Sequence, residues 1–292
     1  MHGGEPKEYE VFAEDDERLI FLLLPKGRRD TNMGTAHMAP SNEVRKPHRI
    51  WYYLSYLRSL LFTNLLIYFY TAVCGTLSLF SSLFDNRGRW QHAFARLWSW
   101  LILTTSGIRT RVEGLENLDP RKTAIYCANH QSAMDIPILF VNLPVQFRFV
   151  AKRSLFMVPF LGWHLARSGH IPVDRRRPRE AMKSLDEAAE KIRAGSSVIL
   201  FPEGHRSRDG KIAPFKAGSF YLAIQSGVPV VPVTLNGTRA VLKPDTYHVR
   251  AGQTEMIVHP PIPTSNLTRR DVEALSEKVR AQIISRFVPP HE

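Results

Sequence analysis

His130 and Asp135 are the residues whose types and spacing best suit catalysis. An imidazole is neutral for much of the time near pH 7 and can take a proton from an attacking hydroxyl. A buried carboxylate on its other nitrogen fixes the tautomer and stabilises the imidazolium that forms. The two stand in Asn129-His130-Gln131-Ser132-Ala133-Met134-Asp135, directly after the strand-like run Thr123 to Ala128. On one continuous helix, residues five apart lie about 140° apart around the axis, so the side chains meet only if His130 occupies the loop before a helix that Asp135 opens. The spacing alone is weak. With 11 histidines in the chain, chance supplies such a pair readily, and a surface His beside a helix-capping Asp reads the same way.

Two further turns carry suitable groups. Phe201-Pro202-Glu203-Gly204-His205-Arg206-Ser207 ends the apolar run Ser197 to Phe201. Glu203 can hold hydroxyl or amine groups, Arg206 can pair with phosphate through two N–H donors, and Gly204 lets backbone approach a ligand closely. After Gly169-His170-Ile171-Pro172-Val173-Asp174 come Arg175, Arg176 and Arg177. Arg175, nearest the strand end, is the candidate phosphate ligand, while Arg176 and Arg177 suit anionic lipid heads. Each turn alone also reads as a solvated charge cluster. Three of them after apolar runs match the place where α/β sheets bind ligands.

The elements that would position these turns begin near Ile108, where short apolar runs alternate with helical segments. Strands are expected at Thr123 to Ala128, Phe147 to Ala151, Gly169 to Val173, Ser197 to Phe201, Val230 to Leu235 and Glu255 to Val258. Helices are expected at Met134 to Asn142, Arg179 to Ala194, Lys216 to Gln225 and Thr268 to Phe287. The expected fold class is α/β, a mixed and largely parallel sheet flanked by helices, preceded by a membrane-associated helical hairpin.

That hairpin is expected within residues 48–106. Ser59 to Phe84 is a run of 26 residues without a charge, long enough to cross a hydrocarbon core. Basic residues flank it on both sides, so the positive-inside rule selects no orientation. A helix that enters one leaflet and returns is suited to this pattern, as is a single span followed by an interfacial helix. The second arm would be Trp90 to Thr105, where Trp90, Phe94, Leu97, Trp98, Leu101 and Ile102 recur at helical spacing, with Gln91, Arg96 and Ser99 elsewhere. Residues 1–47 lack periodicity and read as a disordered extension rather than a signal peptide, with Met33 and Met38 as alternative starts. Residues 107–292 form the expected catalytic domain.

The chain has 39 Lys and Arg against 27 Asp and Glu, a net charge of +12 and a pI near 9.9, which calls for an anionic partner. Its basic residues do not interleave with aromatics in a nucleic-acid-binding pattern, and the uncharged run points to membrane, so nucleic acid is not the expected partner. A non-enzymatic role as a basic surface-binding protein stays open on charge alone. Cys74 and Cys127 have no metal-ligand spacing and are expected as free thiols in a reducing compartment.

In this order the blocks resemble the glycerolipid acyltransferase family of the 1-acyl-glycerol-3-phosphate acyltransferase type, over about residues 85 to 260. The family's Asn-His, four residues, Asp block is matched by Asn129, His130 and Asp135. Its Gly-x-x-Phe-Ile-x-Arg block maps onto Gly169 to Arg175, with Pro172 and Val173 as substitutions. Its Phe-Pro-Glu-Gly-Thr-Arg-Ser block maps onto Phe201 to Ser207, with His205 for Thr. Val231-Pro232-Val233 matches a fourth block, and Lys152-Arg153-Ser154-Leu155 is similar to a Lys-x-Glu-Leu element with Ser154 for Glu. The resemblance implies acyl transfer in phospholipid biosynthesis, from acyl-CoA or acyl carrier protein to the free hydroxyl of a lysophospholipid, lysophosphatidic acid giving phosphatidic acid. His130 would be the base and Asp135 its orienting partner. Arg175 and Arg206 would bind acceptor phosphate, Glu203 and Gly204 would position the glycerol, Ser207 would join them in binding substrate, and Lys152 would bind phosphate or aid the oxyanion. Neither metal nor cofactor is required, and the expected location is the membrane, with the catalytic domain on its cytoplasmic face. Lysophosphatidylethanolamine, a lyso-ornithine lipid and glycerol 3-phosphate are alternative acceptors.

Overall fold

A computed structural model describes residues 49–290 apart from 86, 159–160 and 174–177. The expected extension at 1–47 lies outside the described residues, as does Arg175.

The uncharged run is helical from its start. Helix α1 (Arg49–Arg58), a π-helical turn (Ser59–Thr63) and α2 (Asn64–Ser81) join into one helix that over Ile50–Ser81 spans 32 residues, long and apolar enough to cross a membrane. A π turn brings residues five apart into line. Here that places Ser59 and Asn64 together, and both donate to Tyr247 O, at 2.8 and 2.9 Å. Ser59 Oγ also accepts from Val249 N at 2.8 Å, Arg58 donates to Val249 O, and Ser55 Oγ bonds His248 Nε2 at 2.6 Å. Near its other end Ser78 Oγ bonds His164 Nδ1 at 2.8 Å. The helix therefore lies along the folded domain, with Trp51, Leu61, Phe62, Phe69 and Phe80 exposed.

Helix α3 (Arg89–Ser106) folds back on α2, and Trp98 Nε1 donates to Thr71 Oγ1 at 2.9 Å, so the expected hairpin forms. Its faces are distributed unusually. Gln91, His92, Ala95, Ser99, Ile102, Leu103 and Ser106 are buried, while Trp90, Leu97 and Trp100 are exposed. The side marked by Gln91 and Ser99 thus faces the protein and not water. Small side chains let helices approach closely, while Trp90, Leu97 and Trp100 stay on the outer face.

The sheet has seven strands: β1 (Ile108–Glu113), β2 (Ile125–Ala128), β3 (Phe147–Lys152), β4 (Ile171–Val173), β5 (Ser197–Leu200), β6 (Val230–Asn236) and β7 (Gly252–Val258). Their spatial order is β1-β7-β6-β2-β5-β3-β4, with every pairing parallel except β6 with β7. The mixed, largely parallel sheet is as expected. Strand β1 is additional: its sequence IRTRVE alternates uncharged with charged residues and only one of its residues is buried. The helices are α4 (Asp135–Asn142), α5 (Leu161–Arg167), α6 (Pro178–Arg193), α7 (Ala217–Ser226), α8 (Thr238–Val241) and α9 (Val272–Ser285). The short α5 and α8 are also additional.

Residues alternating along β2 serve two cores, as the strand period of 2 requires. Tyr126 and Ala128 pack with Ala95, Ile102 and Leu103 of α3 and Ile138 and Leu139 of α4. Ile125 and Cys127 pack with Leu185, Ala189 and Ile192 of α6, Phe220 of α7 and Val279 and Ile283 of α9. The sheet is therefore a middle layer. Because β2, β5 and β3 are adjacent and parallel, their C-terminal ends share one edge, where the turns carrying His130 and Glu203 lie.

Candidate active site

At the end of β2 the buried Asn129 turns away from solvent. Its amide donates to Leu235 O at 2.9 Å and accepts from Leu235 N at 2.7 Å, tying the turn to β6. His130 follows in the loop and Asp135 opens α4, the arrangement that their spacing demanded. His130 Nδ1 lies 2.7 Å from Asp135 Oδ2. The same oxygen accepts from Gln131 N at 2.8 Å and Ser132 N at 2.9 Å. Since Asp135 Oδ2 is an acceptor, Nδ1 carries the proton and Nε2 keeps its lone pair.

The ring is fixed from a second side. Phe201, just past β5, stacks on His130 with ring centroids 3.9 Å apart and planes 15° from parallel. Phe149 of β3 stacks behind Phe201 at 6.0 Å, and His170 behind Phe149 at 5.9 Å. The column ends on a hydrogen bond from Phe149 N to His170 Nδ1 at 2.8 Å.

Glu203 holds the His130 backbone. Its Oε1 accepts from His130 N at 2.7 Å and its Oε2 from Ala213 N at 2.9 Å, while Ser207 N donates to His130 O at 2.8 Å. The carboxylate is almost wholly buried. Burial pushes its pKa up to about 7, against the pull of the two N–H donors. Each Glu203 oxygen accepts a backbone N–H and the side chain is turned inward, so any positioning of the glycerol by Glu203 would act through the His130 turn that it holds. Gly204 lies at φ +78°, where a side chain would also meet the Lys216 methylenes at 3.0–3.2 Å.

Beyond this turn opens a cavity of about 570 Å³ lined by His205, Arg206, Arg208, Lys211 and Asp245 among others. Arg206 and Arg208 each lie 4.0 Å from Asp245, the outer limit of an ion pair. Ser207 contributes to the lining, but its hydroxyl donates to Asp209 Oδ1 at 3.0 Å. Hydrogen bonds from Lys211 N and Ser207 hold the Asp209 carboxyl below the usual range. Arg239, which no pattern in the sequence singles out, donates to Ser207 O and Arg208 O and braces this wall.

The fold thus joins His130, Asp135, Glu203 and Ser207 directly and sets Arg206 in the adjoining cavity. Lys152 ends β3, separated from β2 by β5 and so about 10 Å across the same edge. Phe201 and Asn129 belonged to the sequence blocks without an assigned task. An aromatic and an amide at the ends of two apolar strands were the available signals. Among the described residues, no three His, Cys, Asp or Glu side chains group as a metal site. Cys74 and Cys127 are buried free thiols, and burial pushes the Cys127 thiol up.

Fold and site together define an α/β protein with a His–Asp pair at a strand end, a neighbouring turn whose Arg206 and Arg208 line a cavity together with Asp209 and Asp245, and an apolar helical hairpin. A family model described as Acyltransferase matches residues 109–236. A 1-acyl-sn-glycerol-3-phosphate acyltransferase of Saccharomyces cerevisiae is 35% identical over 239 residues, 80% of this chain and 77% of the yeast protein. A chloroplastic 1-acyl-sn-glycerol-3-phosphate acyltransferase of Brassica napus is 38% identical over 186 residues, 63% of this chain. The chain spans about half the length of that protein and of a similar one from Arabidopsis thaliana, at 54% and 52%. The crystal structure of the 1-acyl-sn-glycerophosphate acyltransferase PlsC from Thermotoga maritima superposes with a TM-score of 0.64 at 27% identity, covering 80% of this chain and 99% of that one. The chain belongs to the acyltransferase family whose members include the 1-acyl-sn-glycerol-3-phosphate acyltransferases.

Proposed function

We propose that this protein transfers a fatty acyl group from an acyl thioester, acyl-CoA or acyl carrier protein, to the free hydroxyl of 1-acyl-glycerol 3-phosphate, forming phosphatidic acid. His130 Nε2 takes the hydroxyl proton as the oxygen attacks the thioester carbonyl. Asp135 stabilises the imidazolium. The tetrahedral intermediate then expels the thiolate, which receives the proton from His130, leaving an ester and a free thiol. Arg206 holds the acceptor phosphate in the cavity, whose wall includes Ser207, Gly204 lets the turn approach the acceptor closely, and Arg175 and Lys152 supply further positive charge. Glu203 positions His130 through its backbone. The reaction uses neither metal nor organic cofactor.

The observation that carries this reading is the His130–Asp135 contact of 2.7 Å with the ring stacked on Phe201, next to the turn whose Arg206 lines a cavity. The acceptor follows from the likeness to the 1-acyl-sn-glycerol-3-phosphate acyltransferases. In the same reading, residues 48–106 rest on the membrane, residues 107–292 do the chemistry, and the domain faces the cytoplasm, where acyl thioesters are available.

The test offers purified protein a panel of lysolipids and acyl thioesters, with products read by mass spectrometry. Phosphatidic acid is the expected main product, and preference for lysophosphatidylethanolamine, a lyso-ornithine lipid or glycerol 3-phosphate would reassign the acceptor. Arg206→Ala is expected to raise the KM for acceptor about tenfold or more, the loss of one charged hydrogen bond. An unchanged acceptor dependence would remove Arg206 from the phosphate site.

A further inference from the structure

The connection from β3 into α5 is apolar in sequence, Leu155-Phe156-Met157-Val158-Pro159-Phe160-Leu161-Gly162-Trp163. A connection between two core elements of a water-soluble domain normally hides such residues. Here Met157 is 80% exposed, Leu161 41% and Trp163 56%. Contiguous exposed apolar surface marks an interaction site.

Its surroundings select the partner. The Ser78–His164 hydrogen bond of 2.8 Å seats α5 against the end of α2. Leu161 and Trp163 therefore adjoin the end of the hairpin where Phe80, Leu83 and Phe84 are exposed, with Trp90 opening α3. Arg153 and Arg167 stand exposed at either end of the segment. Apolar side chains and a tryptophan bordered by arginines are the composition that settles at the boundary of an anionic bilayer. The segment also leaves the C-terminal end of β3, on the sheet edge that carries His130.

We propose that Met157, Leu161 and Trp163 form a second membrane-contact element, inserted into the same leaflet as the α2–α3 hairpin. This rests on the reading of the hairpin as membrane-associated and adds a contact at the sheet edge that carries the site. The element holds that edge against the leaflet, so that a lysolipid and its two-tailed product move between bilayer and site without crossing water.

The native thiols are buried, so a cysteine introduced on the full chain takes a label selectively. Met157→Cys, Phe84→Cys and Glu187→Cys are each labelled with an environment-sensitive fluorophore and mixed with vesicles of phosphatidylcholine and an anionic phospholipid. Blue-shifted, brightened emission is expected at 157 and 84 and not at 187, with quenching at 157 by lipids brominated on the acyl chains. The variant M157S/L161S/W163S, with folding checked by its circular dichroism, is expected to lose about tenfold or more in vesicle partitioning, as apolar area is withdrawn from the leaflet, and M157S alone to lose part of it. A shift at 84 with silence at 157 overturns the proposal and leaves the hairpin reading standing. Silence at both positions overturns both. Unchanged partitioning of the triple variant with an altered oligomeric mass would assign the patch to a contact between copies.

Discussion

At the scale of residues, the site depends on how one imidazole is held. Three constraints converge on His130: the Asp135 carboxylate at Nδ1, the Phe201 ring against its face, and Glu203 with Ser207 on its backbone. His130→Ala and Asp135→Asn are expected to lower turnover about 10²- to 10⁴-fold in folded protein, because a general base or its tautomer is lost. Steady-state rates at saturating substrate check this, and near-normal rates in both variants would sink the mechanism. Glu203 permits a separate prediction on pH. Its folded pKa of about 7 stands above the ordinary 4.5. The folded state therefore keeps a proton that the unfolded chain releases between those values. Stability from this group is full below about pH 4.5 and is lost as pH rises through about 7, a change on the order of 3 kcal/mol. Glu203→Gln should be less stable at low pH and flatter in its unfolding free energy between about pH 5 and 8. A slope equal to the parent's would show that another group titrates. The His–Asp pair was legible in the sequence because it is local, a loop and a helix start within one turn. The stack of Phe201 on His130 and the Glu203 brace were not, since both require β2 and β5 to be neighbours, which no local pattern encodes.

At the scale of elements, the long helix is held by polar bonds near its two ends and by Ile67 and Tyr70 between them, which pack against the core. Ser59 donates to Tyr247 O and accepts from Val249 N, and the π turn makes room for Asn64 beside it. Ser59→Ala leaves Val249 N without its partner in a buried position, and such a loss costs about 1–3 kcal/mol. Denaturant unfolding measures it, and a change below about 0.5 kcal/mol, ordinary for a surface site, would mean that the dock contributes little. The same feature explains which parts of the fold the sequence conceals. Helices α4, α6, α7 and α9 and six strands follow the apolar pattern because water lies on their other side or core lies on both. Helix α3 departs from the rule: it buries Gln91 and Ser99 alongside Ala95, Ile102 and Leu103, and it leaves Trp90 and Trp100 exposed. Strand β1 escapes because Arg109 and Arg111 interrupt its apolar residues at the sheet edge, where solvation of charge is permitted.

At the scale of the whole molecule, the question is whether Ile50–Ser81 crosses a bilayer, as its length allows. Its contacts argue otherwise. Ser55, Arg58, Ser59 and Asn64 bond the segment Tyr247–Val249 near one end, and Ser78 bonds His164 near the other. Ser59 and Ser78 are 19 residues apart, about 28 Å along the axis, which is nearly the full hydrocarbon thickness. A transbilayer helix would have to break one group of bonds or drag the domain's polar surface through the membrane. A helix lying in one leaflet keeps both and still immerses its outer apolar face. Cysteines placed at the exposed Tyr53 and at Glu187 of α6 should therefore react with an impermeant maleimide from the same side of sealed vesicles. Washing with salt near 1 M, where charge attraction is screened within about 3 Å, should leave the protein bound, and detergent should release it. Labelling of the two positions from opposite sides would require the helix to undock from Tyr247–Val249 and cross the bilayer. Release by salt alone would assign the attachment to the +12 charge and not to the exposed apolar faces of α2 and α3.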